Sequence, residues 1–275
     1  MVKKNKPAPC LTIEVGSEVI SVVFQDEKFL EAVRQIYLPF MSNKKPQYLI
    51  KVEISRRCDA HAGSDTVISS LDAAGIYTIE SGEFKGILDL KKKSGTLYLS
   101  AGWSQEILVS ALTNLCMATL FKKGAMVFHA SAVVKNNKAY IFSGPSGAGK
   151  STVARVSRNY RILSEELIGF FRRNNTFRAF ALPYIEDTRF TWRTNGSFRV
   201  AALFKLAKDR RNYLKAIPKP QALADFFILP YGFQHVCSLE DYFSVCHKLI
   251  SSVPCYELHF TPDRSLWRCI DECVN

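Results

Sequence analysis

Gly144-Pro145-Ser146-Gly147-Ala148-Gly149-Lys150-Ser151 satisfies G-x-x-x-x-G-K-[ST] at every constrained position, with an apolar run, Ala139 to Phe142, before it and residues able to open a helix after it. A strand, a tight glycine turn and a helix form the context in which this string cradles a phosphate, so an α/β fold is expected around the loop. Glycines at 144, 147 and 149 let successive N–H groups face one anion, and the positive end of the next helix adds to the attraction. Lys150 would serve the β- and γ-phosphate oxygens and the Ser151 hydroxyl would ligate Mg²⁺, which makes a triphosphate of ATP or GTP type the expected ligand.

The chain around this loop has 275 residues, 47% of them hydrophobic, enough for one sizeable core or two modest ones. Two domains are expected, 1–123 and 124–275. The basic start MVKKNKPAPC is followed by Leu11 to Phe24 with Glu14 and Glu18 inside it, which argues against a secretory apolar core. No window reaches the roughly 18 apolar residues of a membrane span. The expectation is a soluble, cytoplasmic protein with no membrane partner. Five of the eight cysteines, Cys237, Cys246, Cys255, Cys269 and Cys273, crowd the C-terminal part with His235, His247 and His259. No C-x-x-C occurs among them, and apolar neighbours suit cysteine as a small hydrophobe, so a zinc site is not expected.

The net charge of +12 is unevenly spread: Arg172 to Lys215 holds eleven Lys/Arg against Glu186, Asp187 and Asp209, interleaved with Phe177, Phe180, Tyr184, Phe190, Trp192 and Phe198. Such a stretch fits a nucleic-acid backbone. Placed directly after a phosphate loop, it fits an anionic cofactor and an acidic substrate equally well.

Hydropathy patterning divides the chain in two. Leu11 to Phe24 reads as a strand pair about Gly16-Ser17, Glu27 to Met41 has helical spacing, and Tyr48 to Ile54 alternates as a strand. Ile76 to Glu80, Phe84 to Leu90 and Thr96 to Ala101 read as an antiparallel meander, and Ser104 caps an amphipathic helix from Gln105 to Lys122. Beyond Gly124, strands Met126 to Lys135 and Lys138 to Ser143 form a hairpin about Asn136-Asn137 that delivers the chain into the loop. A helix near Thr152 to Arg158 and an apolar strand from Tyr160 follow, the strand ending in the adjacent carboxylates Glu165 and Glu166.

F-H-A-S-A-V-V, a short hairpin, G-P-S-G-A-G-K-S-T and then R-I-L-S-E-E-L resemble the catalytic domain of the HPr kinase/phosphorylase superfamily, in particular its HPr-kinase-related serine kinases. Val200 to Leu206 and Val253 to Phe260 match two later strands of that family, so the resemblance covers about residues 125 to 270. It implies a P-loop kinase domain of the HPr kinase and phosphoenolpyruvate carboxykinase type, preceded by a smaller N-terminal α+β domain of unknown role. It also implies that Gly144, Pro145, Ser146, Gly147, Ala148, Gly149, Lys150, Ser151 and Thr152 bind ATP, with Ser151 and Glu166 on Mg²⁺. His129, Lys150, Glu165 and Glu166 would be catalytic, transferring the γ-phosphoryl group to a hydroxyl-bearing acceptor, a peptide or protein serine rather than a nucleic acid. A homo-oligomer is a further implication. Where the family writes Asp-Asp or Asp-Glu, this chain writes Glu165-Glu166, the first acid longer by a methylene. A catalytically impaired nucleotide-binding regulatory protein is therefore the alternative. Arg189 and Arg193 are further candidates for stabilising charge on the phosphoryl group.

Overall fold

The computed structural model describes residues 7–55, 67–185, 196–227 and 236–274. The chain divides into two compact units, one of Met1–Lys122 with Pro183–Ile185 and one of Lys123–Leu182 with Glu186–Asn275. Together they make a mixed α/β protein with one large sheet in each unit.

The first unit holds strands β1 Cys10–Val15, β2 Glu18–Phe24, β3 Tyr48–Ile54, β4 Ile68–Leu71, β5 Ile76–Glu80, β6 Phe84–Asp89 and β7 Ser94–Leu99, with helices α1 Glu27–Tyr37 and α2 Gln105–Phe121. The sheet order is β1-β2-β3-β7-β6-β5-β4. Pairs β2/β3 and β3/β7 are parallel and the others antiparallel, so the meander is grafted onto a βαβ core. Both helices start at side-chain caps: Asp26 accepts from Lys28 N at 3.1 Å, and Ser104 Oγ accepts from Ile107 N at 3.3 Å. The structure corrects the reading of α2 as amphipathic. From Leu108 to Phe121 only Ser110 and Asn114 escape burial, because its apolar residues run all the way round. Strand β4 was invisible to the pattern, being a short Ile-Ser-Ser-Leu at the sheet edge with no buried residue.

The second unit begins with β8 Met126–His129, β9 Ser131–Lys135 and β10 Lys138–Ser143, and continues through α3 Lys150–Val156, β11 Arg161–Ser164, β12 Leu167–Arg173 and β13 Thr176–Ala181. It ends with β14 Ser197–Lys208, β15 Tyr213–Ala216, α4 Lys219–Phe227, α5 Leu239–Ser252, β16 Cys255–Phe260 and α6 Leu266–Cys273. The nine strands run β11-β9-β10-β14-β13-β12-β8, and β16 pairs with both β14 and β15. Strand β14 forks. Its first residues pair with β13, while Leu203 to Lys208 pair in parallel with β16 and Lys138 to Ser143 of β10 flank its other side.

The expected strand Met126 to Lys135 is broken at Ala130, and the strand from Tyr160 stops at Ser164, before Glu165-Glu166, and resumes at Leu167. The two segments stay paired with each other across the break, β9 with β11 and β8 with β12, while the second neighbour changes: β10 flanks β9 and β13 flanks β12. The breaks face one another, with Ala130 N donating to Glu166 O at 2.9 Å. This junction leaves the two acids between the named strands β11 and β12. Beneath the sheet lies a core of Tyr140, Phe142, Phe204 and Trp267, with the Phe142 and Phe204 rings stacked at 5.1 Å and Trp267 edge-on to Phe142 at 6.0 Å. Trp267 Nε1 donates to Ser157 Oγ at 2.8 Å, which ties α6 to the end of α3.

Candidate functional site

Strand β10 carries the chain to the glycine loop, and the loop's shape depends on backbone that other residues rarely adopt. Gly147 has φ 79° and Gly149 has φ 111°, both left-handed. Gly149 also has a packing reason, since a Cβ there would lie 2.7 Å from Phe260 Cζ. Val153 N closes the first helical turn onto Gly149 O at 2.9 Å. Lys150 is mostly buried, its Nζ donating to Gly144 O at 3.0 Å and Pro145 O at 3.5 Å, so the ammonium is folded over the loop. Pro145, Ser146, Gly147 and Ser151 are exposed, while Gly144, Ala148, Gly149 and Thr152 are half-buried.

The strand register brings the other predicted residues to the same edge of the sheet. Ser131 at the start of β9 lies opposite Phe142 near the end of β10, and Ser164 at the end of β11 lies opposite Ala132. One residue before β9, and directly after β11, are therefore the positions beside the beginning of the loop. Leu167 lies opposite His129. His129 Nε2 stands 3.0 Å from Glu166 Oε2, both side chains partly exposed at 48% and 40%. Glu165 points inward and is 5% exposed. The two acids thus occupy different environments despite adjacency.

Ser164, which sequence reasoning did not single out, shapes the acidic turn. Its buried Oγ accepts from Glu166 N at 3.2 Å and Leu167 N at 3.0 Å, a side-chain turn at the step between β11 and β12, which continue in the same direction. The only signal for it was the serine directly before the acid pair.

The loop is suited to a phosphate chain. It combines left-handed glycines, one ammonium and exposed Ser151, and contains no carboxylate. Ser151 and Glu166 offer the oxygen donors that Mg²⁺ prefers. Among the described residues no group of three or more His, Cys, Asp or Glu side chains could hold a metal. His259, one of the C-terminal histidines, instead lies 3.0 Å from Asp209 Oδ2 through Nδ1 and 2.6 Å from Glu257 Oε1 through Nε2, with Tyr213 stacked on it at 4.2 Å. Of the aromatics in the basic stretch, Phe177, Phe180 and Phe198 are buried and form core rather than a stacking surface. Arg189, Arg193, Phe190, Trp192 and His235 lie outside the described residues. No helix among the described residues is long and apolar enough to cross a membrane.

Fold and loop together define an α/β chain with a glycine-rich, lysine-bearing turn at the carboxyl edge of its second sheet. No family model and no curated protein matches the sequence. Among solved structures, the Hpr(Ser) kinase/phosphatase from Coxiella burnetii is similar at 13% identity, covering 53% of this chain and 91% of that one with a TM-score of 0.30.

Proposed function

We propose that this protein is an ATP-dependent phosphotransferase that moves the γ-phosphoryl group to a hydroxyl, the side chain of a serine in a peptide or protein. The reading is supported by the strand register, in which Ser131 lies opposite Phe142 just before the Lys150 loop, and by the His129 and Glu166 pair two residues upstream of Ser131 and across from it. Loop amides and the Lys150 ammonium hold the phosphates, and Ser151 would hold Mg²⁺, whose charge would offset that developing on the transferred group.

Glu166 rather than Glu165 faces the acceptor. It is the more exposed acid, and the 3.0 Å approach of His129 Nε2 fixes its orientation. As the acceptor oxygen bonds to the γ-phosphorus and the bridging P–O bond breaks to release ADP, the hydroxyl proton passes to a Glu166 oxygen. Glu165 is buried, and the turn that aims its neighbour is held by Ser164 Oγ. Placement is the main contribution, since shifts on the order of 1 Å suffice to impair such reactions.

Transfer of labelled phosphate from Mg·ATP to serine peptides tests the reading. Lys150→Ala is expected to lower turnover by about 10³-fold, and Glu166→Gln to lower kcat with little change in nucleotide affinity. Equal transfer by wild type and Lys150→Ala would refute it. Binding of Mg·ATP by wild type with no transfer to any hydroxyl would select the alternative, a nucleotide-binding regulatory protein, which the burial of Glu165 also accommodates.

A further inference from the structure

Three parallel neighbours, β10, β14 and β16, present their carboxyl ends along one edge of the second sheet. In open α/β sheets this edge is where ligands bind. The loop after β10 holds Lys150; the loop after β16 begins at Thr261. The two loops adjoin, since the Phe260 ring that ends β16 sits where a Gly149 side chain would have to go.

Beside them, on the flank of α3, lies a pocket of about 430 Å³ lined by Thr152, Arg155, Val156, Arg158, Pro262, Asp263 and Arg264. Its volume falls within the roughly 300–1,000 Å³ of small-molecule sites. Three guanidiniums meet one carboxylate here. Each is held by a neutral acceptor: Arg155 donates to Thr152 Oγ1, Arg158 to Arg155 O and Arg264 to Asn159 Oδ1, all at 3.3 Å. Among the described residues none of the three forms an ion pair. Asp263 is occupied locally. It accepts from Ser265 N at 2.7 Å and Thr261 Oγ1 at 2.6 Å, and hydrogen bonds from Ser265 and Thr261 keep its carboxyl below the usual range. Its role is to brace the loop, which leaves the arginines to a ligand.

We propose that this pocket holds the nucleoside end of the nucleotide whose phosphates lie in the 144–151 loop, with Arg155 and Arg264 as its recognition residues. The inference rests on the phosphate-loop reading and adds to it the other half of the ligand. Continuity supports it: Thr152 both follows the loop directly and lines the pocket, so a chain of phosphates leaving the loop there meets the arginines next. Chemistry supports it as well. A guanidinium is planar and weakly hydrated, stacks on the face of an aromatic base and donates hydrogen bonds from its edge. Val156 and Pro262 supply the apolar contact that a ribose and base need.

Calorimetric titration of the full chain with Mg·ATP and with Mg·tripolyphosphate separates the two halves. Arg155→Ala and Arg264→Ala are each expected to weaken Mg·ATP about tenfold and to leave tripolyphosphate within about twofold of wild type. Both arginines are exposed, and unchanged melting temperatures will verify that the variants fold. The nucleoside inference falls if wild type binds tripolyphosphate as tightly as ATP, if neither arginine variant weakens ATP, or if both ligands weaken equally, the last marking a plain anion site. A wild type that binds neither ligand would instead overturn the phosphate-loop reading beneath it.

Discussion

Gly147 and Gly149 share left-handed backbone but differ in what surrounds them, and the difference is measurable. A Cβ at 147 meets nothing within 4 Å, whereas one at 149 meets Phe260 Cζ at 2.7 Å. Gly147→Ala therefore suffers only the left-handed conformation, about 1–2 kcal/mol. Gly149→Ala adds a clash with a buried ring, raising the cost to about 2–4 kcal/mol in urea unfolding and displacing the amides around Lys150. Equal destabilisation by the two would show that Phe260 does not fix the loop. Thiol chemistry is also set residue by residue. Burial penalises the thiolate, pushing Cys116 up to about 12 and Cys246 and Cys255 up to about 11, while Cys10 and Cys273 are exposed. At pH 8 the buried pair near 11 holds only about one thiolate in a thousand. Brief iodoacetamide treatment followed by peptide mass analysis should find Cys10 and Cys273 alkylated and the three buried thiols intact.

Among elements, α6 is fastened to the sheet by one charge. Lys135 on β9 meets both carboxylate oxygens of Asp271, and its ammonium lies 5.2 Å from the ring centres of Tyr160 and Trp267. Burial pulls the Lys135 pKa down, but the Asp271 hydrogen bond and the charges of Tyr160 and Asp271 outweigh it and the net shift is upward. A raised folded pKa means that this stabilisation is complete below the ordinary lysine value and is lost as pH climbs through the folded one. Asp271→Asn should lower unfolding free energy by about 1–3 kcal/mol at pH 7, with the deficit relative to wild type constant between pH 5 and 8 and shrinking in the alkaline range above about 10. A deficit that changed between pH 5 and 8 would implicate another group. Elements also show where the sequence could be read. Asn136-Asn137 announced its hairpin, and both residues are left-handed at φ 49° and 60°. Asn174-Asn175, at φ 48° and 59°, carries the same signal between β12 and β13. The break at Ala130 left no trace, because the alternation of Met126 to Lys135 runs through it and a change of flanking strand has no local pattern, whereas the charged Glu165-Glu166 marked the place where β11 stops.

At the scale of the molecule, legibility follows the distance over which a feature is encoded. The glycine loop is eight consecutive residues and could be read at once; the arginine pocket joins α3 to residues 262–264, more than a hundred positions away, and only the parallel order β10-β14-β16 brings them together. The acid pair is intermediate: its presence was visible, but the division into a buried Glu165 and a partly exposed Glu166 depends on the β8/β12 pairing. The two compact units, each with its own sheet, lead to a last prediction. A sheet with a separate core can unfold cooperatively by itself, and a ligand stabilises only the body that binds it. Scanning calorimetry should therefore resolve two transitions. The loop and the pocket both belong to the second unit, so Mg·ATP at 100 times its Kd should stabilise one transition by about 2.7 kcal/mol and leave the other in place. In Lys150→Ala that selective shift should disappear at the same nucleotide concentration. An equal upward shift of both transitions in wild type would mean that the first unit contributes to holding the nucleotide, and would move the search for the acceptor site there.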